Sequence, residues 1–248
     1  MNTMKPSEKT QTLTGDQWLE QVMALHLRVR EEMPESQRPF LLPRTPEFFR
    51  DRLAGKGGAL LGARNEEDRL VGFIAMSRAD SFDKACADGR ITCPDEDGKL
   101  AKAYSAGAVA VAQSLCVLNA FVGRGFSHAL LDAAIDWAKQ NGCAHLFAQT
   151  AAQNVLSWMR FLDKDFAIIT AWENGHRRFL LRWLSVEAKA KLLRPRAVVG
   201  RHSYSKDYAQ MPALMAEINA RLAQGRTVFL DNKPGEENAL SFVFARRG

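Results

Sequence analysis

The chain has 248 residues, 46% of them apolar and 25% charged, with a formal net charge of +6. That balance excludes a largely disordered polypeptide and suffices for one large domain, or for a domain of about 180 residues with an appendage. The four cysteines (Cys86, Cys93, Cys116, Cys143) form no CxxC pair, and no uninterrupted apolar run reaches membrane-spanning length, so the sequence reads as cytoplasmic, without a disulfide scaffold, metal centre or membrane span.

Residues 1–13 carry few apolar groups and are expected to be a flexible N-terminus. Thr14-Gly-Asp-Gln17 has capping-box spacing, and Trp18, Val22, Leu25 and Val29 recur at helical intervals, which predicts a helix over 15–33 ended by Pro34. After a proline-rich connector, Thr45-Pro46 supplies an N-cap and a proline at the first helical position, opening a short helix. Ala59–Arg64 and Leu70–Ser77 flank a polar turn and read as a hairpin. Residues 79–105 are polar and without clear periodicity, and are expected to be a long insertion loop. Cys86 and Cys93 lie there, with no nearby histidine to complete a metal site.

Ala108–Leu118 is an apolar run suited to a strand buried on both faces. Beyond it, Ala129, Leu130, Ala133, Ala134, Trp137 and Ala138 mark a helix that stops at Asn141-Gly142. His145–Gln149 reads as a strand, Asn154–Asp163 as a helix, and Phe166–Trp172 with Phe179–Trp183 as a second hairpin. The order over 14–184 is α-α-β-β-β-α-β-α-β-β, a mixed α/β domain. Residues 185–248 form a C-terminal α/β extension: a helix capped by Ser185, an amphipathic segment Tyr208–Ala223, and a hairpin of Arg226–Leu230 and Leu240–Phe244. Between His176 and Lys206, nine Lys/Arg stand against one acid, Glu187. Such a stretch attracts a phosphorylated cofactor, nucleic acid or an acidic protein, or is simply a solvated basic face.

The chemistry concentrates where the 108–118 strand turns into the next helix, at Asn119-Ala-Phe-Val-Gly-Arg-Gly-Phe-Ser127. The first N–H groups of a helix lack intrahelical acceptors and sit at the positive end of its dipole. Gly123 and Gly125 let backbone approach an anion, Arg124 adds a charge and Ser127 a hydroxyl. Gly-x-Gly after a strand also serves as a plain packing turn, so neighbouring residues decide its reading.

Those neighbours, Leu115-Cys-Val-Leu-Asn-Ala-Phe-Val-Gly-Arg-Gly-Phe-Ser-His-Ala-Leu-Leu131, resemble the central motif of the GNAT (GCN5-related N-acetyltransferase) family. Asn154-x-x-Ser157-x-x-Arg160-Phe161-x-x-x-Asp165-Phe166 resembles the family's following helix and strand. The resemblance implies a GNAT-like mixed central sheet flanked by helices, carrying the C-terminal helix–hairpin extension. It implies a pantetheine arm held by backbone around Val117, and a pyrophosphate on Gly123, Arg124, Gly125, Phe126 and Ser127. Asn154 and Phe161 fall at further cofactor positions. Acetyl-CoA or another acyl-CoA is the expected acyl donor, with no metal.

This sequence departs from the pattern at six places, of which Asn119 for the proline and Ser127 for the third small residue are tolerable. Val122 replaces an Arg/Gln, Val111 stands where some members carry a glutamate, Phe161 replaces the acid tyrosine, and Asp165 replaces a glycine. Ser157 is the candidate catalytic stand-in; Ser114, Tyr104 and His128 are further substitutes. Three functions stay open: an N-acyltransferase acting on an amine-bearing acceptor, a catalytically silent CoA-binding or interaction domain, and an N-acyl synthase fed by an acyl-carrier protein. An acidic partner, carrier protein or nucleic acid, would dock on 176–206, and a homodimer is a further expectation.

Overall fold

A computed structural model of the chain describes residues 10–194, 197–205, 211–231 and 239–246. The chain divides into two compact units, 1–148 and 149–248. In the first unit, β1 (Thr10–Leu13), β2 (Gly58–Arg64), β3 (Leu70–Ala79) and β4 (Ala108–Val117) pair antiparallel in that order, and β5 (Cys143–Ala151) joins β4 in parallel. The β4–β5 connection is α5 (Phe126–Gln140), the crossover helix that a parallel pair requires. The sheet is therefore mixed, and helices cover it.

Two helices precede β2. In α1 (Leu19–Glu32), Val22, Leu25 and His26 are buried, the stripe expected of a 3.6-residue period. In α2 (Pro46–Leu53), the Thr45 hydroxyl accepts from the Phe48 amide at 3.3 Å and Pro46 occupies the first turn, while Phe49 and Leu53 are buried. Val22, Leu25, Phe49 and Leu53 form one core with Leu13, Leu60, Phe73 and Cys116. Strand side chains alternate between faces, and the next residue along from Phe73 looks the other way. At Gly72 an added Cβ would lie 2.8 Å from the Cys116 carbonyl and 3.2 Å from Cδ1 of Leu130 in α5. So α1 and α2 pack on one face of β3 and α5 on the opposite face, close enough to require glycine.

The second unit builds an antiparallel sheet in the order β7 (His176–Trp183), β6 (Phe166–Asn174), β9 (Arg226–Leu230), β10 (Ala239–Arg246), β8 (Val198–Ser205). Its helices are α6 (Val155–Leu162), α7 (Val186–Leu192) and α8 (Met211–Ala223). The strands after residue 185 thus continue the β6–β7 hairpin through the Ala167↔Phe229 and Ile168↔Val228 pairs.

Several expectations are corrected. Residues 10–13, expected to be flexible, form β1 against β2, with Leu13 fully buried. Thr14 does not cap; instead Gln17 donates to the Thr14 carbonyl at 2.8 Å, and α1 starts four residues later than expected. The 79–105 segment contains α3 (Phe82–Ala87), capped by Ser81, and α4 (Lys99–Ala103), whose amides at Leu100 and Ala101 donate to Asp95. Phe82 and Tyr104 anchor that segment edge-on against Phe147, at 5.3 and 5.2 Å between ring centres. Helices of five and six residues are too short to display a period. Strand β8 was not expected at all. All four cysteines are free thiols, and the tip of the β9–β10 hairpin, 232–238, lies outside the described residues. No helix among the described residues is long and apolar enough to cross a membrane.

His26 makes the core pH-sensitive. It is 5% exposed, its Nε2 has no hydrogen-bond partner among the described residues, and its Nδ1 faces the Cys116 sulfur at 3.7 Å. Burial pushes its pKa down to about 4; the Leu42 carbonyl opposes this, and the Arg30 and Arg44 charges add to it. An unfolded chain takes up this proton below about pH 6.5, the folded chain only near 4. Stability is therefore whole above 6.5 and falls as pH drops through 6.5 to 4, by about 3 kcal/mol for a shift of this size. Urea midpoints at pH 7 and pH 4.5 should converge in His26→Gln relative to the native chain; an unchanged loss in the variant would assign the acid sensitivity elsewhere.

Candidate functional site

The site begins with an irregularity in β4. Phe73 pairs with Cys116 and Ala75 with Gln113, so two steps along β3 span three along β4. The extra residue is a β-bulge, and Ser114 within it has φ +49°, a left-handed conformation that costs a non-glycine residue about 1 kcal/mol or more. Pairing with β5 ends just before it, at Ala112↔Ala148. From Gln113 to Val117, β4 pairs with β3 alone among the described residues. Gln113, Ser114 and Leu115 are partly exposed although they lie in an interior strand. This leaves a stretch of strand edge open for an extended ligand.

At the end of β4 a short 3-10 turn, Asn119–Phe121, leads into the glycines. Gly123 and Gly125 have φ +82° and +85°, and Gly125 is the residue immediately before α5. The Arg124 amide donates to the Phe121 carbonyl, and the Ala129 amide to the Gly125 carbonyl. The amides of Gly123, Gly125, Phe126 and Ser127 have no acceptor among the described residues. They gather at the positive end of a fifteen-residue helix. Arg124 is exposed, its guanidinium 5.4 Å from the Phe121 ring centre, and it has no carboxylate partner among the described residues. Four open amides and one cation without a carboxylate partner fit a diphosphate.

Two arginines that the sequence did not single out stand at the bulge. Arg44 Nε donates to Ser114 Oγ at 3.1 Å. Arg52 donates to Ser77 Oγ at 2.8 Å and to Gln113 Oε1 at 3.4 Å, and Ser77 donates to Gln113 Oε1 at 2.9 Å. Both guanidiniums lie against the Phe48 ring, at 4.4 and 3.5 Å from its centre. Burial lowers both pKa values, that of Arg52 to about 10 with the Arg44 charge contributing. No local pattern announces these residues, because the bulge that brings Gln113 and Ser114 toward them carries no glycine.

The remaining sequence-selected residues lie apart in role. Val111 is fully buried and Val122 is 43% exposed. Tyr104 is buried in its aromatic cluster, Cys116 is wholly enclosed with its thiol pKa pushed up by burial, and His128 sits half-buried in the first turn of α5. In the second unit, Asn154 caps α6 by accepting from the Ser157 amide at 3.3 Å. The Ser157 hydroxyl makes no hydrogen bond to the described residues. Phe161 is 4% exposed, its ring edge-on to Phe166 at 5.0 Å. Asp165 has φ +61°, which explains how it occupies a glycine position: aspartate tolerates the left-handed region, and here its carboxylate also pairs with Lys189 at 2.5 Å. The basic stretch after His176 is partly neutralised by that pair and by Arg177 with Glu173.

Comparison with known proteins follows the same lines. The model of the acetyltransferase (GNAT) family matches residues 23–166. No curated protein matches by sequence. Among solved structures, NAA60 of Arabidopsis thaliana in complex with acetyl-CoA aligns with TM-score 0.53 at 15% identity, over 70% of this chain and 96% of its own. An N-acetyltransferase from Staphylococcus aureus Mu50 aligns with TM-score 0.50 at 15% identity, over 70% and 95%. A GNAT-family acetyltransferase from Streptococcus pneumoniae gives TM-score 0.50 at 14% identity, over 70% and 97%. Identities at this level speak for a shared fold. The matched span runs from within α1 to the first residue of β6 and takes in all of β4 and its turn, and the chain belongs to the GNAT acetyltransferase family.

Proposed function

We propose that the protein is an acyl-CoA-dependent N-acyltransferase that transfers an acetyl group directly to a primary amine. The observation that carries this reading is the set of four amides without an acceptor among the described residues, Gly123, Gly125, Phe126 and Ser127, following the stretch of β4 that pairs with β3 and not with β5. These amides and Arg124 would hold the diphosphate, and the backbone from Gln113 to Val117 would hold the pantetheine arm as an added strand. Acetyl-CoA, when bound, supplies the activated acyl group. The acetyl-CoA in the Arabidopsis NAA60 structure supports that donor.

With Val111 buried and Phe161 packed against Phe166, neither position offers an acid or a base. Positioning then carries most of the rate: holding amine and thioester in contact is worth roughly 7–11 kcal/mol in favourable cases. Water at the partly exposed Gln113–Leu115 stretch takes the amine proton, and Ser157 remains the side-chain candidate for the departing thiolate. The same two buried apolar residues favour a second reading, a domain that binds CoA without turnover.

Acetyl-CoA at about 100 times its Kd should stabilise the native protein by about 2.7 kcal/mol and raise Tm by roughly 5 °C. No shift with acetyl-CoA, CoA or longer acyl-CoAs would refute both readings. Thiol release in the presence of an amine panel would separate them, turnover supporting the first and its absence the second. Glutamate at position 125 would adopt a strained φ and place a carboxylate among the open amides. Gly125→Glu should therefore weaken CoA binding 100-fold or more by calorimetric titration, and unchanged affinity in a folded variant would remove this turn from the site.

A further inference from the structure

We propose that the acceptor amine also carries a carboxylate, gripped by the terminal nitrogens of Arg44 with Arg52 as a fixed second charge. This inference rests on the acyltransferase reading and names the substrate class of that site. Arg44 spends only Nε on the protein, in its bond to Ser114; its two terminal nitrogens have no acceptor among the described residues. They present the end-on fork that matches a carboxylate in two parallel hydrogen bonds. Arg52 is held rigidly by the Phe48 carbonyl at 2.9 Å, Ser77 and Gln113, all neutral groups. Neither arginine is ion-paired to a carboxylate among the described residues, although both are half-buried and share the Phe48 ring. Two like charges withdrawn from water beside one ring are unfavourable unless an anion joins them. Their lowered pKa values register the same cost.

Location connects this charge to the reaction. Both arginines bond to β4 side chains at the bulge, just past Ala112, the last β4 residue paired with β5. They come from the α2 side of the sheet, opposite α5 and its open amides, so donor and acceptor would approach β4 from opposite faces. Arg44 also lines a cavity of about 350 Å³ with Arg30, Met23, Leu27, Pro43 and Phe49. That volume suits a small molecule, and walls that are apolar apart from Arg30, Arg44 and His26 suit an amino acid with an apolar side chain.

The test compares L-leucine, L-methionine and L-phenylalanine with their carboxamides, and with phosphoethanolamine. Readouts are Tm shift in the presence of CoA and thiol release from acetyl-CoA. The acids should exceed the amides by tenfold or more, and Arg44→Gln should abolish that preference while the acetyl-CoA Tm shift stays intact. Arg44→Lys, which keeps charge and loses the fork, should retain only part of it. Amides equal to acids, no response to any acid, a preference for phosphoethanolamine, or a preference unchanged in both variants would each overturn the proposal. Acids that shift Tm while no acyl-CoA does would sink the acyltransferase reading and leave the carboxylate site standing.

Discussion

One extra residue in β4 shapes the rest of the molecule's chemistry. A regular strand would hydrogen-bond to β3 and β5 along its whole length, leaving no backbone for a ligand. The bulge at Ser114 twists the strand, ends its pairing with β5 at Ala112 and turns both Gln113 and Ser114 toward the α2 side. Its left-handed serine is unfavourable by itself. It persists because β3 pairs with β4 on both sides of it.

Charge is arranged around that opening with the same economy. On one face, backbone dipoles at the start of α5 and a single arginine gather positive potential without desolvating a side chain. On the other, Arg44 and Arg52 are partly withdrawn from water and stacked on Phe48, which fixes their direction at the cost of solvation. Between them Val22, Leu25, Phe49, Leu53, Phe73 and Cys116 pack an apolar cluster, and His26 beside it is kept neutral by burial. The two faces thus differ in kind: a dipolar, exposed one suited to a diphosphate, and a preorganised, half-buried one suited to a smaller anion.

Much of this was legible in the sequence where local chemistry dictates structure. Thr45-Pro46 set the start of α2, Gly123 and Gly125 marked the turn before α5, and alternating or continuous apolar runs gave β2, β3, β4, β6, β7, β9 and β10. The family resemblance supplied the expected role of the turn. What stayed hidden depends on contacts distant in the chain. Residues 10–13 look polar, yet become a strand because β2 offers an edge. The 79–105 segment shows no period because its helices are held by Ser81, Asp95 and aromatic packing on Phe147. The bulge itself has no signature, since its left-handed residue is a serine, and Arg44 meets Ser114 across seventy positions. Asp165 is the converse: a departure from the family pattern that the backbone shows to be conformationally equivalent.

In the proposed function, the bulged end of β4 and the turn before α5 form one continuous cofactor surface. A crystal structure of the protein grown with CoA tests this most directly. The expected result is a pantetheine chain hydrogen-bonded to backbone between Gln113 and Val117, and a diphosphate within bonding distance of the amides of Gly123, Gly125, Phe126 and Ser127. CoA bound elsewhere, or a β4 edge that remains empty while the nucleotide occupies another cleft, would contradict it.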